Sequence, residues 1–187
     1  MSLIELTAVY VPIWAAVACY VDALRLDLLG RQGEYESLAR RRWLIGAMLA
    51  VIHVVAAFLL VHHGRLEHAY ETTGARTAAA LAAWGFNANA EAASDGRIGV
   101  WMNFLFVAVW LVDAGFRSGA PQAWRARPRW LAAAVHAYLA FIVFNATAVF
   151  GSPAMRVAAW LALVVLLVAW RRGVQRLASS NAPLPGS

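Results

Sequence analysis

The chain has 187 residues, of which 62% are hydrophobic and 14% are charged. Soluble proteins average roughly 45–50% apolar residues, so this composition excludes an ordinary soluble enzyme and a disordered chain. All sixteen basic residues are arginine, which excludes mechanisms that need a lysine amine, such as Schiff-base chemistry. Cys19 is the single cysteine of the sequence, which excludes an internal disulfide.

Five apolar segments are long enough to cross a bilayer. They predict an all-α integral membrane protein, built as a bundle of five transmembrane helices within residues 1–177. At 1.5 Å per residue the segments reach about 26–32 Å, against a hydrocarbon core of about 30 Å. Residues 178–187 are predicted to form a disordered tail. The predicted spans are 3–21, 43–61, 98–116, 130–150 and 154–170.

Arginine is unevenly distributed between the segments that connect the spans. Segments 22–42 and 117–129 and the region after residue 170 hold twelve of the sixteen arginines. The positive-inside rule places these segments in the cytoplasm of a bacterial inner membrane, with the N-terminus outside and the C-terminus inside. Because this topology accounts for the net charge of +6, no nucleic-acid partner is expected. Trp43 and Trp130 are predicted to lie in an aromatic belt at the cytoplasmic rim.

The long outer loop at 62–97 contains a helical pattern. Its larger side chains recur at three- and four-residue spacing, which predicts an amphipathic helix that lies on the membrane or caps the bundle as an outer lid. The residues in this pattern are Leu66, Tyr70, Thr73, Thr77, Leu81 and Trp84.

Two histidines fall inside the predicted spans, His53 in the second and His136 in the fourth. An ionisable group at mid-bilayer costs about 2.5–3.5 kcal/mol or more, so each histidine needs a partner or a function. Both share a helix face with small residues, which predicts that they point into the bundle. Two imidazoles on facing helices can hold haem b, one on each side of the iron. The alternative is that each imidazole hydrogen-bonds a neighbouring helix.

Three further polar residues within the spans are candidates for a site: Asp113, Asn103 and Asn145. Asp113 is the candidate catalytic residue, because it lies at a depth where it could orient His136 or relay protons with it. The alternative is an ion pair with Arg117, one helical turn later. Asn103 and Asn145 could bind the polar head of a quinone or lipid, or hydrogen-bond to each other across two helices.

Histidines and glutamates also cluster at the outer end of the second span. If helix continued through Gly64, the side chains at 63, 67 and 71 would share one arc, and imidazole with carboxylate suits a divalent metal such as Zn or Cu. The alternative is that these side chains face water, with the glutamates paired to arginines. The predicted metal ligands are His62, His63, Glu67, His68 and Glu71.

These features give three hypotheses about function. The first is a subunit of an inner-membrane complex that transfers electrons with haem b or a quinone, together with other membrane or periplasmic subunits. The second is a non-catalytic structural or assembly subunit of a membrane complex. The third is a small transporter or proton channel that uses Asp113 and His136, which the lack of a visible inverted repeat disfavours.

Overall fold

The computed structural model describes residues 3–29, 35–83, 85, 96–149 and 152–180, and within these ranges the chain forms helices and no strands. The α-helices are α1 (Leu3–Leu29), α2 (Glu36–Ala56), α3 (Leu66–Ala83), α4 (Arg97–Gly119), α5 (Pro121–Ala126), α6 (Arg129–Phe144) and α7 (Pro153–Ser180). Two of them continue as wide π-helical turns, α2 through Ala57–Val61 and α6 through Asn145–Val149.

Five of the helices described, α1, α2, α4, α6 and α7, are long and apolar enough to cross a membrane. This confirms the five predicted spans, and the chain is a multi-pass helical membrane protein. Some helices run beyond the apolar segments: α1 continues to Leu29 and α2 begins at Glu36. The extension of α1 carries charged residues that find partners, since Asp22 pairs with Arg25 at 2.7 Å.

The spans pack side by side in the order α7, α1, α2, α4, α6. Alanines dominate the contacts among α1, α2 and α4, because small residues let helices approach closely in a membrane, and a few large rings fill the remaining space. The buried core consists of Ala16, Tyr20, Ala23, Trp43, Ala47, Ala50, Phe106, Trp110, Ala114 and Leu139.

Glycines set two close contacts between helices. A β-carbon at Gly173 would collide with the carbonyl oxygen of Leu28, so α7 packs directly on the backbone of α1. A β-carbon at Gly96 would collide with the backbone of Tyr70 and Gly74, so the start of α4 packs on α3. Since Gly173 and Leu28 both lie near the C-terminal ends of their helices, α1 and α7 run parallel.

The helix predicted in the loop between the second and third spans is present as α3. Ala69 and Gly74 are its buried residues, at the two edges of the predicted stripe, and Leu66 is exposed. Within the stripe Tyr70 and Thr73 are partly buried, and the Thr73 side chain lies against Gly99 of α4. Gly85, at φ +79°, lies two residues after the end of α3, and Trp84 lies outside the described residues.

Two further expectations are corrected at the ends of the spans. Trp43 is fully buried rather than part of an interfacial belt, whereas Trp130 is 72% exposed. Trp43 is drawn inward because its indole nitrogen bonds a buried carboxylate on α4. Helix α7 includes residues 178–180 of the predicted tail, and residues 181–187 lie outside the described part of the chain.

Candidate functional site

Asp113 is the centre of a buried ionic site at the C-terminal end of α4. Its carboxylate is 5% exposed and accepts hydrogen bonds from Trp43 Nε1 at 2.9 Å and from Trp124 Nε1 at 3.1 Å. Arg127, which lies between α5 and α6 and is itself 7% exposed, pairs with the same carboxylate. The charge of Asp113 is thus matched by that of Arg127, and both carboxylate oxygens of Asp113 have donors. A stable buried ion pair requires this arrangement.

Arg117 forms a second buried pair one turn further along α4. Its guanidinium donates to Asp27 of α1 at 2.6 Å, and its side chain is 4% exposed. The Trp124 ring lies close to two cations, with its centroid 4.5 Å from the guanidinium carbon of Arg117 and 4.1 Å from that of Arg127. Cation–π contacts of this kind gain strength when desolvated. We call Asp27, Trp43, Asp113, Arg117, Trp124 and Arg127 the ionic cluster.

The predicted partners of Asp113 are therefore wrong. Asp113 pairs with neither Arg117 nor His136, because the short helix α5 brings Trp124 and Arg127 back against the end of α4. Arg117 pairs with α1 instead.

His136 packs against the ionic cluster without joining its hydrogen bonds. Its ring meets the Trp43 ring at 5.3 Å between centroids, in an edge-on arrangement. Its Nδ1 atom is buried and has no hydrogen-bond partner among the described residues. His136 is thus held by packing against the Trp43 ring, and its Nδ1 atom is available to a small bound group.

His53 has a different partner and a different depth. Its Nδ1 lies 2.7 Å from the carbonyl oxygen of Val9, and because a carbonyl can only accept, Nδ1 carries the proton. Ten residues, or about 15 Å of helix rise, separate His53 from Trp43, against which His136 packs. The structure therefore does not bring His53 and His136 to a common iron, and the predicted axial pair is not assembled.

Five polar side-chain atoms of the bundle are buried and lack a hydrogen-bond partner in the part of the chain described, and four of them belong to residues whose rings or guanidinium group lie close to the Trp43 ring. A buried group left in this state costs about 1–3 kcal/mol, so a polar molecule that reached these atoms would bind favourably. They are Tyr20 Oη, Trp110 Nε1, Arg117 Nη1, Ser118 Oγ and His136 Nδ1.

The two asparagines do not bond to each other. Asn103 is exposed on α4, and the Nδ2 of Asn145 donates to the carbonyl of Phe141 within its own helix at 2.8 Å. Tyr138 makes the bond between these two helices, since its hydroxyl donates to the carbonyl of Met102 at 2.8 Å. A tyrosine in an apolar segment carried no signal that distinguished it from a packing residue.

The predicted metal ligands lie around a turn at the C-terminal end of α2. The chain leaves the helix after Val61, and His63 and Gly64 adopt left-handed conformations with φ of 52° and 70°. This turn destroys the four-residue spacing that would place His63 and Glu67 on one arc. Among the described residues, no group of three or more His, Cys, Asp or Glu side chains is arranged to hold a metal.

The histidines of that turn make contacts of another kind. The His63 ring stacks on the His68 ring at 5.9 Å, and His62 Nδ1 lies 3.2 Å from the hydroxyl oxygen of Thr72. Burial lowers the pKa of His62, and electrostatic interactions with His68, Arg76 and His63 lower it further.

The sequence did not reveal Trp124, Arg127 and Asp27 as members of a site. In the sequence, Arg125, Arg127 and Arg129 indicate only the orientation of the segment. Two signals were present: a tryptophan three residues before Arg127, and a carboxylate at the end of α1.

Comparison of the chain with protein-family models, with curated proteins and with solved structures finds no match.

Proposed function

We propose that the protein is a non-catalytic structural subunit of a membrane protein complex. The observation that carries this proposal is that Asp113, Arg117 and His53 each have a partner within the bundle. Asp113 pairs with Arg127, Arg117 with Asp27, and His53 with the backbone of Val9. Such pairs fix helix positions. In the part of the chain that the structure describes, no group of three or more His, Cys, Asp or Glu side chains is arranged to hold a metal.

The last two spans offer surface to partner helices. In the 18-residue apolar stretch of each spanning helix, 11% of the residues are buried for α6 and 6% for α7, whereas 28% are buried for α4. Helix α6 exposes Ala133 and Ala137 at four-residue spacing, a pattern that allows a second helix to approach closely in a membrane. We therefore infer that a helix of another membrane protein packs on α6.

A photo-crosslinking amino acid at Ala137 tests this proposal in native membranes at endogenous expression. We expect a crosslinked adduct of one discrete mass with another membrane protein. When the Ala137→Trp variant is purified, most of the partner that co-purifies with the wild type should be lost. The same crosslinker at Val112, a position 73% exposed on α4, should give mainly lipid adducts. Lipid adducts alone at both positions would contradict the proposal.

Electron transfer with haem b or a quinone is the second candidate function. It is favoured by three unpaired atoms, His136 Nδ1, Tyr20 Oη and Trp110 Nε1. The tyrosine hydroxyl and the indole N–H are donors of the kind that bind a carbonyl oxygen. An absorption spectrum of the purified protein distinguishes the two candidates. A haem or quinone signal lost in His136→Ala and retained in Ala137→Trp would favour electron transfer.

We place the arginine-rich end of the bundle in the cytoplasm of a bacterial inner membrane, with α3 as a lid on the outer face. The contacts Arg42–Asp22 at 3.3 Å and Arg117–Asp27 at 2.6 Å support a shared side, because they bring arginines of α2 and α4 to the end of α1. The positive-inside rule then assigns that side to the cytoplasm.

Reporter fusions test the orientation. Fusions after Arg42 and after Ser180 should be fluorescent with green fluorescent protein and inactive with alkaline phosphatase. A fusion after Gly85 should show the opposite pattern. Phosphatase activity from the fusion after Ser180 would contradict the orientation.

A further inference from the structure

An apolar groove runs along the outside of the bundle between α1 and α7. Its volume is about 330 Å³, within the range of 300–1,000 Å³ usual for small-molecule sites. Asp22 and Arg25 lie at one end of the groove, and the rest of its lining is apolar. That lining includes Trp14, Val17 and Val21 of α1 with Ala158, Ala162 and Val165 of α7.

The length of the groove matches one leaflet of a bilayer. From Trp14 to Arg25 is eleven residues, or about 16 Å of helix rise, and half of a hydrocarbon core is about 15 Å. The polar end lies at the arginine-rich end of the bundle, where α7 closes on Leu28 through Gly173. The groove therefore extends from the membrane interface to the middle of the bilayer.

The polar end of the groove carries more positive than negative charge. Arg25 donates to Asp22 Oδ1 through Nε at 3.0 Å and Nη2 at 2.7 Å, and Arg42 Nε lies 3.3 Å from Asp22 Oδ2. Two guanidinium groups thus surround one carboxylate. Their side chains are 37% and 45% exposed, and a guanidinium has five N–H donors, more than these contacts use.

We propose that this groove binds one anionic phospholipid of the leaflet at the arginine-rich end. An acyl chain lies between α1 and α7, and the phosphate accepts hydrogen bonds from Arg25 and Arg42. Guanidinium is well suited to phosphate because it can donate two parallel hydrogen bonds. The proposal is independent of whether the protein is a complex subunit, since it concerns a different face of the bundle from α6.

Native mass spectrometry of the full-length protein in detergent tests the proposal, with phosphatidylglycerol and phosphatidylcholine as probes. We expect retention of one phosphatidylglycerol, with about five-fold tighter binding than phosphatidylcholine, because one excess arginine charge acts on one lipid charge. Arg25→Gln should remove this preference. Arg129→Gln, an exposed arginine at the start of α6, is the matched control and should keep it.

Ala162→Leu tests the apolar part of the site and leaves the Asp22–Arg25 pair intact. It should weaken binding of both lipids several-fold, because the added side chain occupies the groove. Ala134→Leu, on the exposed surface of α6, should have no such effect. Equal retention of the two lipids by the wild type would overturn the proposal, and so would equal losses in Ala162→Leu and Ala134→Leu.

Discussion

Replacing Asp113 with asparagine is expected to destabilise the protein by about 3–5 kcal/mol, since it removes one partner of a buried ion pair. The substitution keeps the shape of the side chain and an oxygen for a tryptophan indole. However, it leaves Arg127, whose side chain is 7% exposed, with an uncompensated charge. For a chain of this size the loss corresponds to a fall in melting temperature of roughly 6–20 °C, measurable by tryptophan fluorescence in detergent micelles.

Two further variants separate the loss of the pair from a general effect of removing a carboxylate. Glu71→Gln changes an exposed carboxylate on α3 and should shift the melting temperature little. The double variant Asp113→Leu with Arg127→Met removes both charges and should recover much of the stability, because the cost lies mainly in the unpaired buried charge. A melting temperature for Asp113→Asn equal to that of Glu71→Gln would show that Arg127 is not buried against this carboxylate.

The spans were predictable because lipid imposes a strict condition on sequence. A segment in the hydrocarbon core must satisfy its own backbone hydrogen bonds as a helix and must be apolar for about 20 residues. Both conditions are visible in a single sequence. The ends of the helices were less predictable: α1 continues past its apolar segment because Asp22 and Asp27 find arginine partners.

The partners of the polar residues could not be derived from sequence, because they depend on which helix ends meet. The spacing favoured Arg117 as the partner of Asp113, since both lie on the same helix. The structure instead folds α5 back and supplies Arg127 and Trp124 from a segment that composition marked only as a loop.

The spacing behind the metal prediction has a local weakness that is visible in the sequence. Gly64 favours the left-handed conformation that ends helices, and the prediction required helix to continue through it. In the structure Gly64 and His63 both adopt that conformation. A glycine that follows a long apolar helix is therefore a stronger sign that the helix ends than the histidine and glutamate spacing is a sign that it continues.

Gly46 gives the second large expected effect, because it lies where α2 meets α4. A β-carbon at this position would lie 2.6 Å from Cζ2 and 3.0 Å from Cη2 of Trp110. Trp110 is fully buried and packs against Phe106 and Tyr20, so its ring has no space to retreat. Overpacking of a close-packed core costs about 1–3 kcal/mol, and we expect Gly46→Ala to lower the melting temperature by several degrees.

Gly115 provides the matched control for this prediction. It also lies inside a spanning helix, but a β-carbon there would meet nothing within 4 Å. Gly115→Ala should therefore stabilise the protein by about 0.5–1 kcal/mol, because alanine loses less backbone freedom in a helix than glycine. The two variants make the same chemical change and should shift the melting temperature in opposite directions. If both raised it, the close packing of Gly46 against Trp110 and Cys19 would be wrong, because those contacts oppose the gain in helix propensity.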